Sequence, residues 1–307
     1  MTKVISILGF GNIGKVICAL LLPYQEHNFT INVIDIDLSV KGAITDFEHG
    51  NQIYPNHTLS YNSEDLLNNS DFIFHCAGAS VPKGKSRLYT CQQSVDITEA
   101  IFKNFKPTKT PFIIVVANPV EIISTITYKL TGLPANHIIG TGTFLDSVRM
   151  NHVIEKQRED VTTADAILLG EHGTTAFLSK QLSSINGLPF SDFVDDNALN
   201  HYMDLVKNAA EEIKSTQNAT IYGVSYCAIH LFEMLLSQEG QKIPVSTLIP
   251  ETLRKEFGVP EIFLSLYSNI NQQGAFSVED YYPDAEEMAC LRKSVDLILP
   301  CVPEKYL

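Results

Sequence analysis

The chain of 307 residues is 45% hydrophobic and 19% charged, a normal balance for a globular protein and enough chain for two modest domains. Its net charge of −13, with no visible basic patch, argues against a nucleic-acid partner. No apolar run approaches the roughly 18 residues that cross a bilayer, so we expect no membrane span.

Residues 1–140 alternate predicted strands with predicted helices, a pattern typical of a parallel sheet covered on both faces. We therefore predict an α/β fold in which a Rossmann-type, doubly wound parallel sheet comes first. In chain order the elements are a strand at 4–8, a helix at 13–22, a strand at 30–34, a helix at 39–50, a strand at 71–76, a helix at 93–105 and a strand at 112–117.

After residue 140 the pattern changes to longer helices mixed with shorter strands, so residues 141–307 are predicted to form a mixed α+β domain. The predicted elements are helices at 143–158, 198–215 and 222–236, strands at 164–169, 243–248 and 262–267, and an amphipathic stretch at 284–299.

The cysteines and the N-terminus indicate the compartment. Six cysteines are scattered without a Cys-x-x-Cys pair, which predicts reduced thiols and no metal site. The N-terminus leads into a strand pattern without signal-peptide architecture. We expect a cytoplasmic protein.

A glycine motif follows the first predicted strand and opens the first helix, the context in which G-x-G-x-x-G binds a pyrophosphate. Asp35, at the end of the second strand, is placed to accept hydrogen bonds from the adenosine ribose. Its charge would repel a 2′-phosphate, so NAD is predicted over NADP. The motif residues are Gly9, Gly11, Asn12, Ile13 and Gly14.

A second group of polar residues lies near the middle of the chain. Asp146 and Arg149 are three apart and share one helix face, and His172 stands between glycines after a predicted strand. Histidine can take a proton, aspartate can orient it, and arginine can grip a carboxylate by two hydrogen bonds. Alone, an Asp–Arg pair is more often a surface ion pair of small energy. Together the residues suit oxidation of a hydroxy acid.

With these motifs the chain resembles the lactate/malate dehydrogenase family of NAD-dependent 2-hydroxy acid dehydrogenases over nearly its whole length. The motifs that carry the resemblance are the turn at 9–14, Ala77-Gly78-Ala79, Ser86-Arg87-Leu88, Ala117-Asn118-Pro119, Ile139-Gly140-Thr141-Gly142, Leu145-Asp146-Ser147-Val148-Arg149 and Gly170-Glu171-His172-Gly173.

The resemblance implies a role for each matching residue. His172 would be the acid–base group, oriented by Asp146, and Arg149 would bind the substrate carboxylate. Arg87 would close over the site and polarise the carbonyl. The resemblance also implies that Asn118 contacts the reacting oxygen and nicotinamide, and that Ala77 and Gly78 contact the cofactor, while Thr220 lines the pocket opposite.

The position that faces the variable end of the substrate holds Val81, where malate enzymes resemble one another in having arginine and typical lactate enzymes have glutamine. Valine cannot pair with a second carboxylate. We therefore expect L-lactate or a longer aliphatic 2-hydroxy acid. The stretch before Asp146 is also similar to that of L-2-hydroxyisocaproate dehydrogenases. Malate stays open if Lys83 or Lys85 reaches the site.

Regulation and assembly are also implied by the resemblance. Bacterial relatives activated by fructose 1,6-bisphosphate carry basic residues where this chain has Asn151 and Asp165, so we expect no such activation. We expect a homodimer or homotetramer.

An alternative from another class is a catalytically silent NAD-binding scaffold, whose signature would be loss of Arg87, Asp146, Arg149 or His172, and all four are present.

Overall fold

The computed structural model describes residues 2–80, 87–217, 219–278 and 280–307, and for Arg87 the backbone alone. Its first half consists of six strands separated by helices and loops. Their bounds are β1 (Lys3–Leu8), α1 (Asn12–Leu21), β2 (Phe29–Ile34), α2 (Val40–Asn51), β3 (Thr58–Tyr61), α3 (Glu64–Asn68), β4 (Phe72–His75), α4 (Cys91–Phe102), β5 (Phe112–Val115), α5 (Val120–Thr131) and β6 (Ile138–Gly140).

These six strands lie in the order β3-β2-β1-β4-β5-β6, and every neighbouring pair is parallel. The chain reverses its direction of travel across the sheet between β1 and β4. In such sheets the carboxyl ends of the two strands at the reversal leave a crevice where ligands bind. The predicted doubly wound parallel sheet is confirmed, and the crevice lies beside the glycine motif.

The second half adds both helices and strands. Its bounds are α6 (Phe144–Gln157), β7 (Ala164–Asp165), β8 (Leu168–Leu169), β9 (Phe177–Leu178), β10 (Ser184–Ile185), β11 (Leu188–Pro189), α7 (Asp196–Gln217), α8 (Tyr222–Leu236), β12 (Gln241–Leu248), α9 (Glu251–Phe257), β13 (Phe263–Asn271), β14 (Gly274–Ser277) and α10 (Ala285–Ile298). The described residues also include 3₁₀ turns at Arg87–Thr90, Ala135–His137, Phe190–Asp192, Leu299–Cys301 and Glu304–Tyr306.

Strands β12, β13 and β14 continue the parallel sheet in antiparallel fashion. β12 pairs with β6 where Ser246 meets Gly140, and β13 and β14 follow outward. The resulting sheet of nine strands runs through both halves of the chain.

The predicted strand at 164–169 is divided in the structure, which corrects that prediction. β7 pairs with β10, whereas β8 pairs with β9 in a separate sheet. Between them the backbone N–H groups of Ala166 and Ile167 donate to the side chains of Asn151 and Ser183 instead of to a strand. These side-chain acceptors satisfy the backbone and break the ladder.

The core also joins the two halves. Phe232 on α8 packs its ring against Phe72 and Phe29, with ring centroids 4.9 and 5.8 Å apart. All three rings are buried, and such aromatic pairs contribute about 0.5–1.5 kcal/mol beyond their buried area. Helix α8 is thereby fixed on the sheet that carries the glycine motif.

Among the described residues no single helix is both long and apolar enough to span a membrane. One strongly bent pair, α7 with α8, meets the criteria of length and composition only.

Candidate active site

The glycine turn between β1 and α1 leaves space that side chains would fill. Gly9 has φ +86°, a left-handed conformation that favours glycine. A Cβ on Gly14 would lie 2.2 Å from the Gly9 carbonyl oxygen, whereas nothing stands within 4 Å of a Cβ on Gly11. The N-terminus of α1 therefore has an open approach, and its backbone N–H groups and helix dipole suit a pyrophosphate.

A cavity of about 790 Å³ extends from this turn along the carboxyl ends of β1, β2 and β4. Asp35 lines it together with Gly9, Gly11, Ala77 and Gly78. The Asp35 carboxylate also accepts a hydrogen bond from the Phe10 backbone N–H at 2.6 Å, so the same side chain braces the glycine turn. The cavity therefore has the shape and acceptor expected for an adenosine diphosphate moiety.

The second predicted group of residues is also assembled. The imidazole Nδ1 of His172 lies 2.6 Å from Asp146 Oδ2, and Arg149 Nη1 lies 3.1 Å from Asp146 Oδ1. All three side chains are at most 14% exposed. Asp146 thus contacts both the proposed acid–base group and the proposed carboxylate-binding group.

Two polar contacts dock α6 onto the strand that precedes His172. The Thr143 hydroxyl donates to the Leu168 carbonyl, and the Leu168 N–H donates to the Ser147 hydroxyl at 2.9 Å. Because α6 starts at this contact, its first turn carries Asp146 to the turn that follows β8. This docking explains why residues 26 positions apart meet.

A second cavity, of about 300 Å³, joins the two groups. It is lined by the glycine turn on one side and by His172, Arg149, Asn118 and Thr220 on the other. Asn118 Oδ1 is buried and has no hydrogen-bond partner within the described part of the chain. An unpaired buried acceptor at this place fits a ligand that donates a hydrogen bond, such as a carboxamide.

Two predicted site residues are not placed by the structure. Val81 lies outside the described residues, as do Lys83 and Lys85. The backbone of Arg87 begins a 3₁₀ turn, while its side chain lies outside the described part.

Two charged residues of the site were not predicted from the sequence. Lys214 on α7 lines the second cavity, one helical turn after Ala210, which lines it too. Glu121, in the first turn of α5, accepts a hydrogen bond from the His172 backbone N–H. For Lys214, the available sequence signal was its i,i+4 spacing from Ala210. For Glu121, it was a lone acidic residue within an otherwise uncharged stretch after Asn118.

The fold and the two joined cavities define a dinucleotide-dependent oxidoreductase. Matches to family models make the class specific: residues 3–140 match the lactate/malate dehydrogenase NAD binding domain, and residues 143–298 match the lactate/malate dehydrogenase alpha/beta C-terminal domain. The chain belongs to the lactate/malate dehydrogenase family, and its cofactor is NAD.

Individual relatives carry both names of the family. The chain is 29% identical over 276 residues to an L-lactate dehydrogenase of Clostridium botulinum (strain Loch Maree / Type A3), covering 86% of this chain and 85% of that protein. The minor L-lactate dehydrogenase of Enterococcus mundtii, solved with ligands bound, is 25% identical with a TM-score of 0.84 and 98% coverage of each chain. The malate dehydrogenase of Aeropyrum pernix shares the fold, with a TM-score of 0.87, 21% identity, and 98% of this chain and 99% of that chain covered.

Proposed function

We propose that this protein is an NAD-dependent L-2-hydroxy acid dehydrogenase that interconverts L-2-hydroxy acids and 2-oxo acids. One observation carries the proposal: His172, whose Nδ1 is held by Asp146, and Arg149 line one cavity together with the glycine turn. When bound, NAD supplies the two-electron acceptor. The protein's own task is then to bind the acid, orient it and move one proton.

Each residue has a chemical task in the proposal. In the oxidative direction Nε2 of His172, the ring nitrogen that Asp146 does not hold, would take the hydroxyl proton while the hydrogen on C2 leaves as hydride to the cofactor and the carbonyl forms. Asp146 holds Nδ1–H and stabilises the imidazolium that results. Arg149 binds the carboxylate, and Asn118 and Thr220 line the cavity around the reacting centre. Arg87 polarises the substrate oxygen, a role that the family resemblance supports.

The rest of the cavity wall supports an aliphatic substrate. Its lining contains several apolar side chains that could cover a methyl or a branched group at C3 of the substrate. Each methylene buried there would contribute about 0.8 kcal/mol to binding. L-lactate, or a longer homologue such as 2-hydroxyisocaproate, is therefore the substrate that we propose, in agreement with the expectation from Val81. The apolar lining residues include Leu145, Ala210, Ala219, Ile221 and Val224.

Lys214 supports a second candidate, malate. Its side chain is 18% exposed, lines the same cavity, and lies 3.1 Å from Glu211. A second substrate carboxylate could replace Glu211 as its partner. The ion pair with Glu211 already offsets the lysine charge, however, so the aliphatic acid remains the first proposal.

The deciding experiment follows NADH oxidation with pyruvate, 2-oxoisocaproate and oxaloacetate in the wild type, in Lys214→Met and in a control, Lys255→Met, whose side chain is 76% exposed on α9. We expect the highest kcat/KM with pyruvate or 2-oxoisocaproate, and little change in either from Lys214→Met. Preference for oxaloacetate that Lys214→Met alone abolishes would establish malate instead. No oxidation with any of the three would favour the silent NAD-binding scaffold.

We also propose that the enzyme is a homodimer or homotetramer. Apolar side chains on α6 and α8 face outward, with Val148 44%, Tyr222 57% and Tyr226 62% exposed. Tyr222 and Tyr226 lie one helical turn apart on α8, and adjoining exposed apolar groups commonly mark protein contacts. Light scattering after gel filtration tests the assembly, and a monomer at micromolar concentration would refute it.

A cytoplasmic location is proposed from the cysteine chemistry. All six cysteines are free thiols. Burial raises the pKa of Cys18 and of Cys76 to about 12, which keeps both as unreactive thiols. Fractionation of the source cells tests the location, and recovery of the enzyme outside the cytoplasm would refute it.

We further propose that fructose 1,6-bisphosphate does not activate the enzyme. Asn151 commits its side-chain oxygen to the Ala166 N–H at 2.7 Å, and Asp165 is exposed beside it on β7. An amide and a carboxyl offer a sugar phosphate no cation at these positions. A several-fold fall in KM for the 2-oxo acid on adding the bisphosphate would refute this proposal.

A further inference from the structure

A buried carboxyl, Glu121, lies directly behind the His172 turn. Its Oε1 accepts the His172 backbone N–H at 3.1 Å and the Ser265 hydroxyl at 2.9 Å. The side chain stands at the start of α5, three residues after Asn118, and the residue is 2% exposed. One oxygen atom therefore links the helix that follows Asn118 to the turn that carries His172.

Ser265 on β13 extends the link to the third catalytic segment. Its hydroxyl accepts the Thr143 N–H at 3.2 Å, at the start of the helix that carries Asp146. Its backbone exchanges two hydrogen bonds with Gly170, at 2.9 and 3.1 Å. Glu121 and Ser265 thus form a buried junction, which we call the Glu121–Ser265 junction, between the segments that present Asn118, His172 and Asp146.

We propose that Glu121 is a positioning residue that holds the His172 turn in register with Asn118 and, through Ser265, with α6. The inference rests on the dehydrogenase function proposed above. Its physical basis is rigidity: a displacement of about 1 Å in a reacting group can reduce turnover about 100-fold. Glu121 acts through the backbone of His172 and contacts neither substrate nor cofactor in this proposal.

The charge state of Glu121 suits this task. Burial, followed by the negative charge of Glu171 on the same turn, raises the pKa of the Glu121 carboxyl to about 8. From strand β13 the neutral Ser265 hydroxyl donates to it. At neutral pH the protonated, uncharged carboxyl is therefore favoured, and its Oε1 accepts two hydrogen bonds without competing with Asp146 for the imidazolium. Ionisation above pH 8 would add a further negative charge against the backbone of the His172 turn.

The test compares Glu121→Gln, Glu121→Ala and Ser265→Ala with a control, Glu251→Gln, on the exposed surface of α9. Glutamine keeps a neutral acceptor, so we expect kcat near that of the wild type at pH 7 and less loss of kcat above pH 8. Glu121→Ala removes the acceptor, and we expect kcat to fall about 10- to 100-fold with unchanged NADH affinity. Ser265→Ala keeps the bond to His172 and should show a smaller loss of kcat.

Proton NMR of the His172 Nδ1–H resonance gives a measurement independent of turnover. We expect the downfield resonance, which reports the bond to Asp146, in the wild type and in Glu121→Gln, and its loss or broadening in Glu121→Ala. Wild-type kcat in both alanine variants, or glutamine as damaging as alanine, would overturn the inference. If the wild type turns over no 2-oxo acid, the dehydrogenase proposal fails, and the resonance alone decides the role of Glu121.

Discussion

The Nδ1 atom of His172 lies 2.6 Å from the Oδ2 atom of Asp146, although 26 residues separate the two in the chain. That distance is short even for a charge-assisted hydrogen bond. It fixes Nδ1 as the bonded nitrogen of the imidazole and leaves Nε2 available for the substrate. The proposed acid–base role depends on this orientation.

Replacing Asp146 by asparagine tests that orientation. The asparagine side chain is uncharged and could present its amide to the ring, so the imidazolium would lose its stabilising charge. We expect Asp146→Asn to lower kcat about 100-fold or more, within the range that general acid–base catalysis contributes. NADH affinity should stay unchanged. The control is Asp296→Asn on α10, where the side chain is 58% exposed. Retention of full kcat in Asp146→Asn would contradict the proposed role.

Arg149→Lys tests the carboxylate contact. Lysine keeps the positive charge but loses the planar fork that binds two oxygens at once. Loss of one hydrogen bond to a charged group costs about 1.5–3 kcal/mol, or roughly 10- to 100-fold in kcat/KM. We expect most of this loss in KM for the 2-oxo acid, measured by steady-state kinetics. Arg254→Lys on α9 is the matched control, and an unchanged KM in Arg149→Lys would exclude Arg149 as the carboxylate ligand.

The sequence predicted the parallel sheet and its glycine turn because both depend on local patterns. Apolar strands alternate with helices at short spacing, and the motif around Gly9 sits within one strand–helix unit. The pairing of Asp146 with Arg149 is also local, being one turn of helix. The approach of His172 was inferred from family resemblance, since a 26-residue separation has no periodic signal.

Non-local features escaped prediction for physical reasons. Strand β12 joins the first half of the sheet through Ser246 and Gly140, a contact that no local pattern encodes. Helix α5 is rich in β-branched residues such as Ile122, Ile123 and Thr125, which favour strands by intrinsic propensity. Burial of residues 120–127 outweighs that propensity. For Glu121 the sequence offers only a lone acid after Asn118, and its bond to the His172 N–H, 51 residues away in the chain, has no local signal.

The preference for NAD rests on Asp35. Its carboxylate would repel a 2′-phosphate by about 1–4 kcal/mol at contact distance, depending on solvent screening. We expect Asp35→Asn to shift the ratio of kcat/KM for NADPH over NADH upward by roughly tenfold or more. Asparagine is the suitable replacement because its oxygen can still accept from the Phe10 N–H. Asp37→Asn, on an exposed neighbour, controls for net charge. An unchanged ratio in Asp35→Asn would contradict the assignment.

The buried His75 on β4 makes the free energy of unfolding depend on pH. Its Nε2 lies 3.1 Å from the Thr98 hydroxyl, and burial lowers the pKa of the ring from 6.5 to about 4. In the unfolded chain the His75 ring takes up a proton near pH 6.5, whereas the folded protein resists protonation until about pH 4. The contribution of neutral His75 to stability is therefore complete above pH 6.5 and is lost as the pH falls toward 4. A single proton corresponds to a slope of about 1.4 kcal/mol per pH unit.

The contribution of Glu121 to folding stability changes with pH in the direction opposite to that of His75. Its pKa rises from 4.5 in the unfolded chain to about 8, so its stabilisation is complete below pH 4.5 and is lost as the pH rises through 8. Urea unfolding between pH 4 and 9 separates the two. We expect His75→Gln to flatten the rise of the unfolding free energy with pH between pH 4 and 6.5. We expect Glu121→Gln to flatten the fall of the unfolding free energy with pH between pH 4.5 and 8. His201→Gln, on the exposed face of α7, should leave both slopes intact. A slope below pH 6.5 that survives in His75→Gln would assign the acid sensitivity to another group.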